Sequence, residues 1–326
     1  VGAFLVMNGQ MTIGGLVASQ VIVGLLNRPI ASLAASLCQL QEGAGALMRI
    51  QDLQSHPLDE AYVIADKDAP PQDTSGTLTL NSVAFGYAPG QTIVSDIALK
   101  IQPGRMIAVL GASGSGKSTL ARLAAGLLSP TSGEVLLDGR RLPDWPTEEL
   151  RKRLVFVTQT ASVFTGSVAD NIRMWQPHIS TKEVVEATHA AGLDSSLGRH
   201  HHGLNTQVSH LQGGLSGGEL QRMTLARAIA HKPSVMVLDE TTSALDPSTE
   251  AEVLEGLRNT GATILIVTHK PGTAMRCDEA IYLEAGRVAA HGRPSDLLNR
   301  ISDQPLGNRY PAMPSPIATE PRLAQA

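Results

Sequence analysis

The chain has 326 residues, 42% hydrophobic and 3% aromatic, with a formal net charge of −4. That length builds one substantial domain plus extra segments, and the mild acidity argues against a nucleic-acid binder that works through broad electrostatics. Two cysteines, Cys38 and Cys277, sit in unrelated segments and read as free thiols of a reducing compartment, not as a disulfide framework.

The chain opens at Val1 with no signal-peptide pattern, and reads as a piece whose N-terminal part lies elsewhere. Val1 to Met7 is apolar and stops at a turn, Asn8-Gly9-Gln10. From Thr12 to Leu40 only Arg28 is charged, and Pro29 follows it. Helical signal continues to Leu53. A helix over Thr12 to Leu53 would run roughly 60 Å at ~1.5 Å per residue. That exceeds a bilayer core of ~30 Å, so such a helix would span and project beyond it. Arg28 inside the span is expected to face a cavity or a partner helix. The competing reading is a soluble amphipathic helix rich in Ala, Ser and Gly. Residues 56–76, with Pro70-Pro71 and few periodic apolar positions, read as a polar linker.

Residues 77–158 read as a strand-rich core. Val83, Phe85 and Tyr87 share one face at period two, so Tyr87 could be core. Arg105 to Leu110 reads as a buried strand and Ser118 to Leu127 as a helix. Between them, Gly111-Ala112-Ser113-Gly114-Ser115-Gly116-Lys117-Ser118-Thr119 is a phosphate-binding loop. Its glycines let backbone N–H groups turn inward, and these groups with the helix N-terminus hold phosphate oxygens. Lys117 reaches the β- and γ-phosphates, and the Ser118 hydroxyl serves Mg²⁺. The competing reading is a Gly/Ser-rich surface turn.

Residues 160–230 carry helical patterns such as Lys182 to Ala191. His200-His201-His202 tempts a metal reading, but adjacent loop histidines lack a coordination geometry, so a solvated loop is expected. Leu215-Ser216-Gly217-Gly218-Glu219 follows, then the apolar run Val235 to Leu238, typical of a buried parallel strand. Asp239 and Glu240 lie at its carboxyl end, where open α/β sheets place ligands. Asp239 is placed to hold Mg²⁺, and Glu240 is the natural general base for water attacking the γ-phosphate. The bland alternative is an acidic pair capping the helix that starts near Pro247. Residues 231–298 alternate strand and helix, and Ile301 to Ala326, rich in Pro, Ala and Ser, reads as a disordered tail.

In this order the motifs resemble the ATP-binding cassette (ABC) transporter ATPase, from about Leu78 to Leu298. The resemblance implies an α/β P-loop NTPase with a helical subdomain at about 160–230, preceded by a partial α-helical membrane segment. It divides the chain into 1–55, the end of a transmembrane domain; 56–76, a linker; 77–300, the ATP-binding domain; and 301–326, a tail. It implies that Tyr87 stacks on adenine and that Gln159 binds the metal and senses the membrane domain. It implies that His269 contacts the γ-phosphate, so that Glu240, His269 and Gln159 form the catalytic set. Ser216, Gly217, Gly218 and Glu219 would contact ATP held by a second ABC subunit, in a homodimer with two competent sites, and Asp246 lies in the neighbouring loop Ser243-Ala244-Leu245-Asp246. Glu219 stands where the family usually has Gln.

Residues 6–14, Arg28-Pro29, Leu40-Gln41-Glu42 and Arg49-Ile50-Gln51-Asp52 resemble the end of the membrane domain in bacterial peptide and bacteriocin exporters of the leader-processing (NHLM) type. The implied function is ATP-driven export of a peptide across the bacterial cytoplasmic membrane, with the ATPase domain on the cytoplasmic side. A lipid or drug exporter is the alternative, ahead of an importer ATPase subunit or a soluble ABC protein. One departure stands out. Exporters usually carry a Gly-Glu pair shortly before the signature, where this chain has Thr206-Gln207-Val208-Ser209-His210.

Overall fold

The computed structural model describes residues 2–55, 75–209 and 214–302. Most of the expected linker and tail, the His210 position and the Arg28 side chain lie outside the described residues. The chain divides into two compact units, residues 1–63 and 64–326.

The first unit is helical, with α1 (Gly2–Met7) and α2 (Ile13–Ser55). Between them Gly9 takes a φ of +68°, and the Gln10 N–H donates to Leu5 O at 2.9 Å, closing the first helix. Pro29 sits inside α2 and supplies no N–H to the carbonyl one turn back. Ile13, Val17, Val21, Ile22, Val23, Leu25 and Leu26 are each more than half exposed. At 100° per residue these positions are distributed all the way round the helix, so its first half has no polar face to present to water. Its 43 residues are long and apolar enough to cross a membrane, by length and composition.

The second unit runs β1 (Leu78–Phe85), β2 (Val94–Ile101), β3 (Met106–Gly111), α3 (Lys117–Ala124), β4 (Ser132–Leu137) and β5 (Arg140–Arg141). It continues through α4 (Thr147–Arg153), β6 (Leu154–Val157), β7 (Gly166–Ser167), α5 (Val168–Arg173), α6 (Thr181–Ala190), α7 (Asp194–Leu197) and β8 (Gln207–Val208). The remainder is α8 (Gly217–Ala230), β9 (Val235–Asp239), α9 (Pro247–Asn259), β10 (Thr263–Val267), α10 (Pro271–Ala274), β11 (Glu279–Glu284), β12 (Arg287–Gly292) and α11 (Pro294–Ser302).

A six-stranded sheet, ordered β12-β11-β3-β10-β9-β6, is parallel except for its edge strand β12. Its middle strands β3, β10 and β9 are mostly apolar because both faces are covered. Met106, Ala108, Met236, Leu238, Ile264 and Ile266 face one core, shared with α5, α6 and α8. Ile107, Val109, Val235, Val237, Leu265 and Val267 face the other, shared with α3 and the antiparallel sheet β2-β1-β4-β5. Trp145, fully buried, belongs to the second core.

Three local expectations change. In β1 the pairing register shifts after Leu80, and Ser82 has a φ of +44°, the mark of a bulge. Burial therefore passes from Leu80 to Val83, and the period-two face does not reach Tyr87, which is 56% exposed. The helix after the phosphate loop ends at Ala124, not Leu127, because the chain turns through Gly126 at a φ of +70°. Within the helical region, β7 and β8 form a two-stranded pair, too short to leave an alternation in sequence.

Candidate nucleotide site

Parallel strands β3, β6, β9 and β10 all end at one edge of the sheet, so the segments that follow them meet there. After β3 comes the loop 111–116. A Cβ on Gly111 would lie 2.3 Å from Leu283 O, and one on Gly116 3.2 Å from Ile93 O, so both positions exclude larger residues. The Lys117 ammonium donates to Gly111 O at 3.0 Å and Ala112 O at 2.8 Å, arching over its own loop. Ser115 Oγ is buried with no hydrogen-bond partner among the described residues. A spare buried hydroxyl, a cation and a glycine cradle at the start of α3 fit a phosphate group.

The Ser118 hydroxyl donates to Asp239 Oδ1 at 3.1 Å, an arrangement of oxygens suited to a hard divalent cation. Burial pushes the Asp239 carboxyl above its ordinary range; the Ser118 hydroxyl pulls the other way, and the neighbouring Glu240 adds to the rise. Burial likewise lowers Lys117, against the opposing pull of Glu240 and Asp239. Gln159, just past β6, donates from Nε2 to Glu240 Oε2 at 3.0 Å. His269, just past β10, brings Nδ1 to 3.6 Å from Glu240 Oε1. Six of the residues singled out in sequence, Lys117, Ser118, Gln159, Asp239, Glu240 and His269, thus form one linked polar cluster. Tyr87 stands at its flank, its hydroxyl 3.4 Å from Thr119 Oγ1 and from Arg122, its ring edge-on to Phe85 at 4.9 Å.

Asp239 and Glu240 cap no helix. Asp246 does so, accepting from the N–H groups of Ser248 (3.1 Å) and Thr249 (3.0 Å) at the start of α9. The Ser248 hydroxyl, which donates to the same carboxylate at 2.5 Å, and these N–H bonds hold the Asp246 carboxyl far below the usual carboxylate range.

Ser216 to Glu219 are not hydrogen-bonded to this cluster. Ser216 caps α8, and Glu219 Oε2 accepts from the Ser216 N–H at 2.7 Å and its hydroxyl at 2.9 Å, a capping box. Burial raises the Glu219 carboxyl, but the two Ser216 bonds and His200 outweigh it and leave it below its ordinary value. The triple-histidine loop is therefore not wholly solvated. His200 Nε2 lies 3.5 Å from Glu219 Oε1, and Arg199 lies 3.9 Å from the same oxygen. Among the described residues no group of three or more His, Cys, Asp and Glu side chains is placed to hold a metal ion.

Sequence reasoning passed over Arg122, Gln221 and Lys270. Gln221 accepts from the Ala244 N–H at 3.2 Å and donates to Ser243 Oγ at 3.3 Å, tying α8 to the turn after Glu240. Its signal was its place two residues past Glu219, on the helix the signature opens.

Fold and loop together define an α/β P-loop NTPase fold. Residues 94–243 match the family model described as ABC transporter. The chain is 32% identical over 305 residues to the alpha-hemolysin translocation ATP-binding protein HlyB of Escherichia coli. It is 35% identical over 302 residues to the cyclolysin secretion/processing ATP-binding protein CyaB of Bordetella pertussis (strain Tohama I). Both alignments take in 91% of this chain, which spans 42% of each relative's length. A solved bacterial Atm1-family ABC exporter with ATP bound superposes with a TM-score of 0.71 at 29% identity, over 90% of this chain and 51% of that one.

Proposed function

We propose that the chain is the ATP-binding and ATP-hydrolysing part of an exporter that moves a polypeptide across the bacterial cytoplasmic membrane. The observation that carries the hydrolytic half is Glu240, bracketed by Gln159 and His269 beside the phosphate loop. Backbone N–H groups of residues 111–116 and the Lys117 ammonium bind the β- and γ-phosphates, and Tyr87 stacks on adenine. Ser118, Asp239 and Gln159 would hold Mg²⁺, which supplies charge neutralisation on the phosphate oxygens when bound. Glu240 takes the proton of the attacking water, and His269 contacts the γ-phosphate.

The signature residues Ser216 to Glu219 serve the site of a second copy, giving a homodimer with two sites. For Ser216 to donate to a phosphate, its hydroxyl must turn from Glu219 Oε2.

Helix α2, long and apolar enough to cross a membrane, supports a membrane-embedded first unit, and the use of ATP would put the ATPase domain on the cytoplasmic side. A polypeptide cargo is favoured over a lipid or drug by the likeness to proteins named for hemolysin translocation and cyclolysin secretion. The test is reconstitution of the intact transporter in lipid vesicles, with ATP turnover and uptake measured for candidate polypeptides, lipids and small drugs. Stimulation and uptake with a polypeptide is expected. Stimulation by lipids or drugs with none by polypeptides overturns the cargo while sparing the exporter.

A further inference from the structure

Glu240 has a φ of +51°. The left-handed region is costly for a residue with a Cβ, and a glutamate side chain does nothing local to favour it. Such a conformation persists only where the surroundings impose it. On one side, the Glu240 N–H donates to Val267 O of β10 at 3.0 Å. On the other, the Ser243 N–H donates to Glu240 O and the Leu245 N–H to Thr242 O, both at 3.2 Å, winding the chain into a tight turn.

The Lys270 ammonium closes that turn from outside. It donates to Thr242 O at 2.9 Å and to Leu245 O at 3.0 Å, gripping both ends. Lys270 directly follows His269, so the residue that grips the turn is bonded to the one whose ring faces Glu240. A plainer role would be neutralising Glu250, which is 6% exposed. The distances argue otherwise. Glu250 Oε2 is 3.5 Å from the ammonium, and Glu250 Oε1 already accepts from the Thr242 and Thr273 hydroxyls at 2.6 and 2.7 Å. The short bonds of the cation go to the backbone of the turn.

We propose that Lys270 is a positioning residue for ATP hydrolysis: it clamps the turn 242–245 and thereby holds the Glu240 carboxylate in register with His269. The inference rests on the reading of Glu240 as general base. A loosened turn should misplace the base without touching the phosphate loop, so turnover falls while nucleotide binding stands.

The test uses the full chain in detergent with Lys270→Met combined with Glu250→Gln. The second change removes the stranded charge and keeps an amide oxygen for the two threonines. The expected result is a wild-type melting temperature, a KM for ATP within about threefold of wild type and a kcat lowered at least tenfold. A folded double variant with wild-type kcat overturns the clamp. So does one that loses ATP affinity in step with turnover, or one that fails to fold, since each makes Lys270 a structural residue only. Glu240→Gln is run in parallel. If it turns over like wild type, the base assignment itself fails and the clamp with it. If it is dead while the double variant is fully active, the clamp alone fails.

Discussion

Glu240 is the residue on which the hydrolytic reading turns. Its two oxygens are held by different neighbours, Gln159 at 3.0 Å and His269 at 3.6 Å, so its amide would keep the contacts and lose the basicity. Glu240→Gln should lower ATP turnover by ~10²–10⁴-fold and leave ATP binding intact, read by steady-state hydrolysis beside an equilibrium nucleotide titration. Unchanged turnover would remove the assignment. At this scale much of the site was legible in sequence. Lys117 and Ser118 were read from the offsets that phosphate and metal chemistry demands, and Asp239 from its place at the carboxyl end of a buried strand. Lys270 was missed because a lysine after a strand end reads as solvated; only folding brings it to carbonyls 25 and 28 residues upstream. Glu219 sits at a helix N-terminus, and its partner His200 lies in a loop that sequence left in solvent.

Among the elements, the central strands were legible because double burial leaves no polar alternation to confuse them. Val235–Asp239 and Thr263–Val267 have every residue buried. The bulge in β1 was not legible, since Ser82 gives no turn signal of its own. The start of β3 is also set by a distant residue. Asp278 accepts from the Met106 N–H at 2.8 Å and from Arg258 at 2.9 Å. Burial raises the Asp278 carboxyl, but these donors outweigh it and hold the group below its ordinary value. A carboxyl lowered on folding adds stability that is full above its unfolded pKa of about 3.9 and is lost as pH falls through the lower folded value. Asp278→Asn should therefore cost about 1 kcal/mol at pH 7, discounted because Arg258 is half in water. The gap between variant and wild type should narrow as pH falls below about 3.9, read from melts taken across the acid range. A gap that stays constant with pH would show that charge at Asp278 is not the cause.

At the scale of the whole molecule, the two halves of the proposed site lie on one chain yet share no hydrogen bond. Lys117 works within its own phosphate loop, while among the described residues the Ser216 hydroxyl bonds only within its own capping box, to Glu219. A second copy related by two-fold symmetry can bring the signature of each to the loop of the other. Sequence order named both halves, but no spacing rule says which copy a loop serves, and that step rests on geometry between chains. Two variants separate the roles. Lys117→Ala should weaken ATP binding in its own subunit, whereas Ser216→Arg should spare binding and block the partner's site. A mixed dimer holds one site in which both defects meet and one in which neither is present. The decisive measurement is ATP turnover of the two purified variants alone and mixed in equal amounts. Each alone should be inactive, and the mixture should recover activity approaching one working site per mixed dimer. A mixture as inactive as its components would contradict a site shared between two copies of this chain.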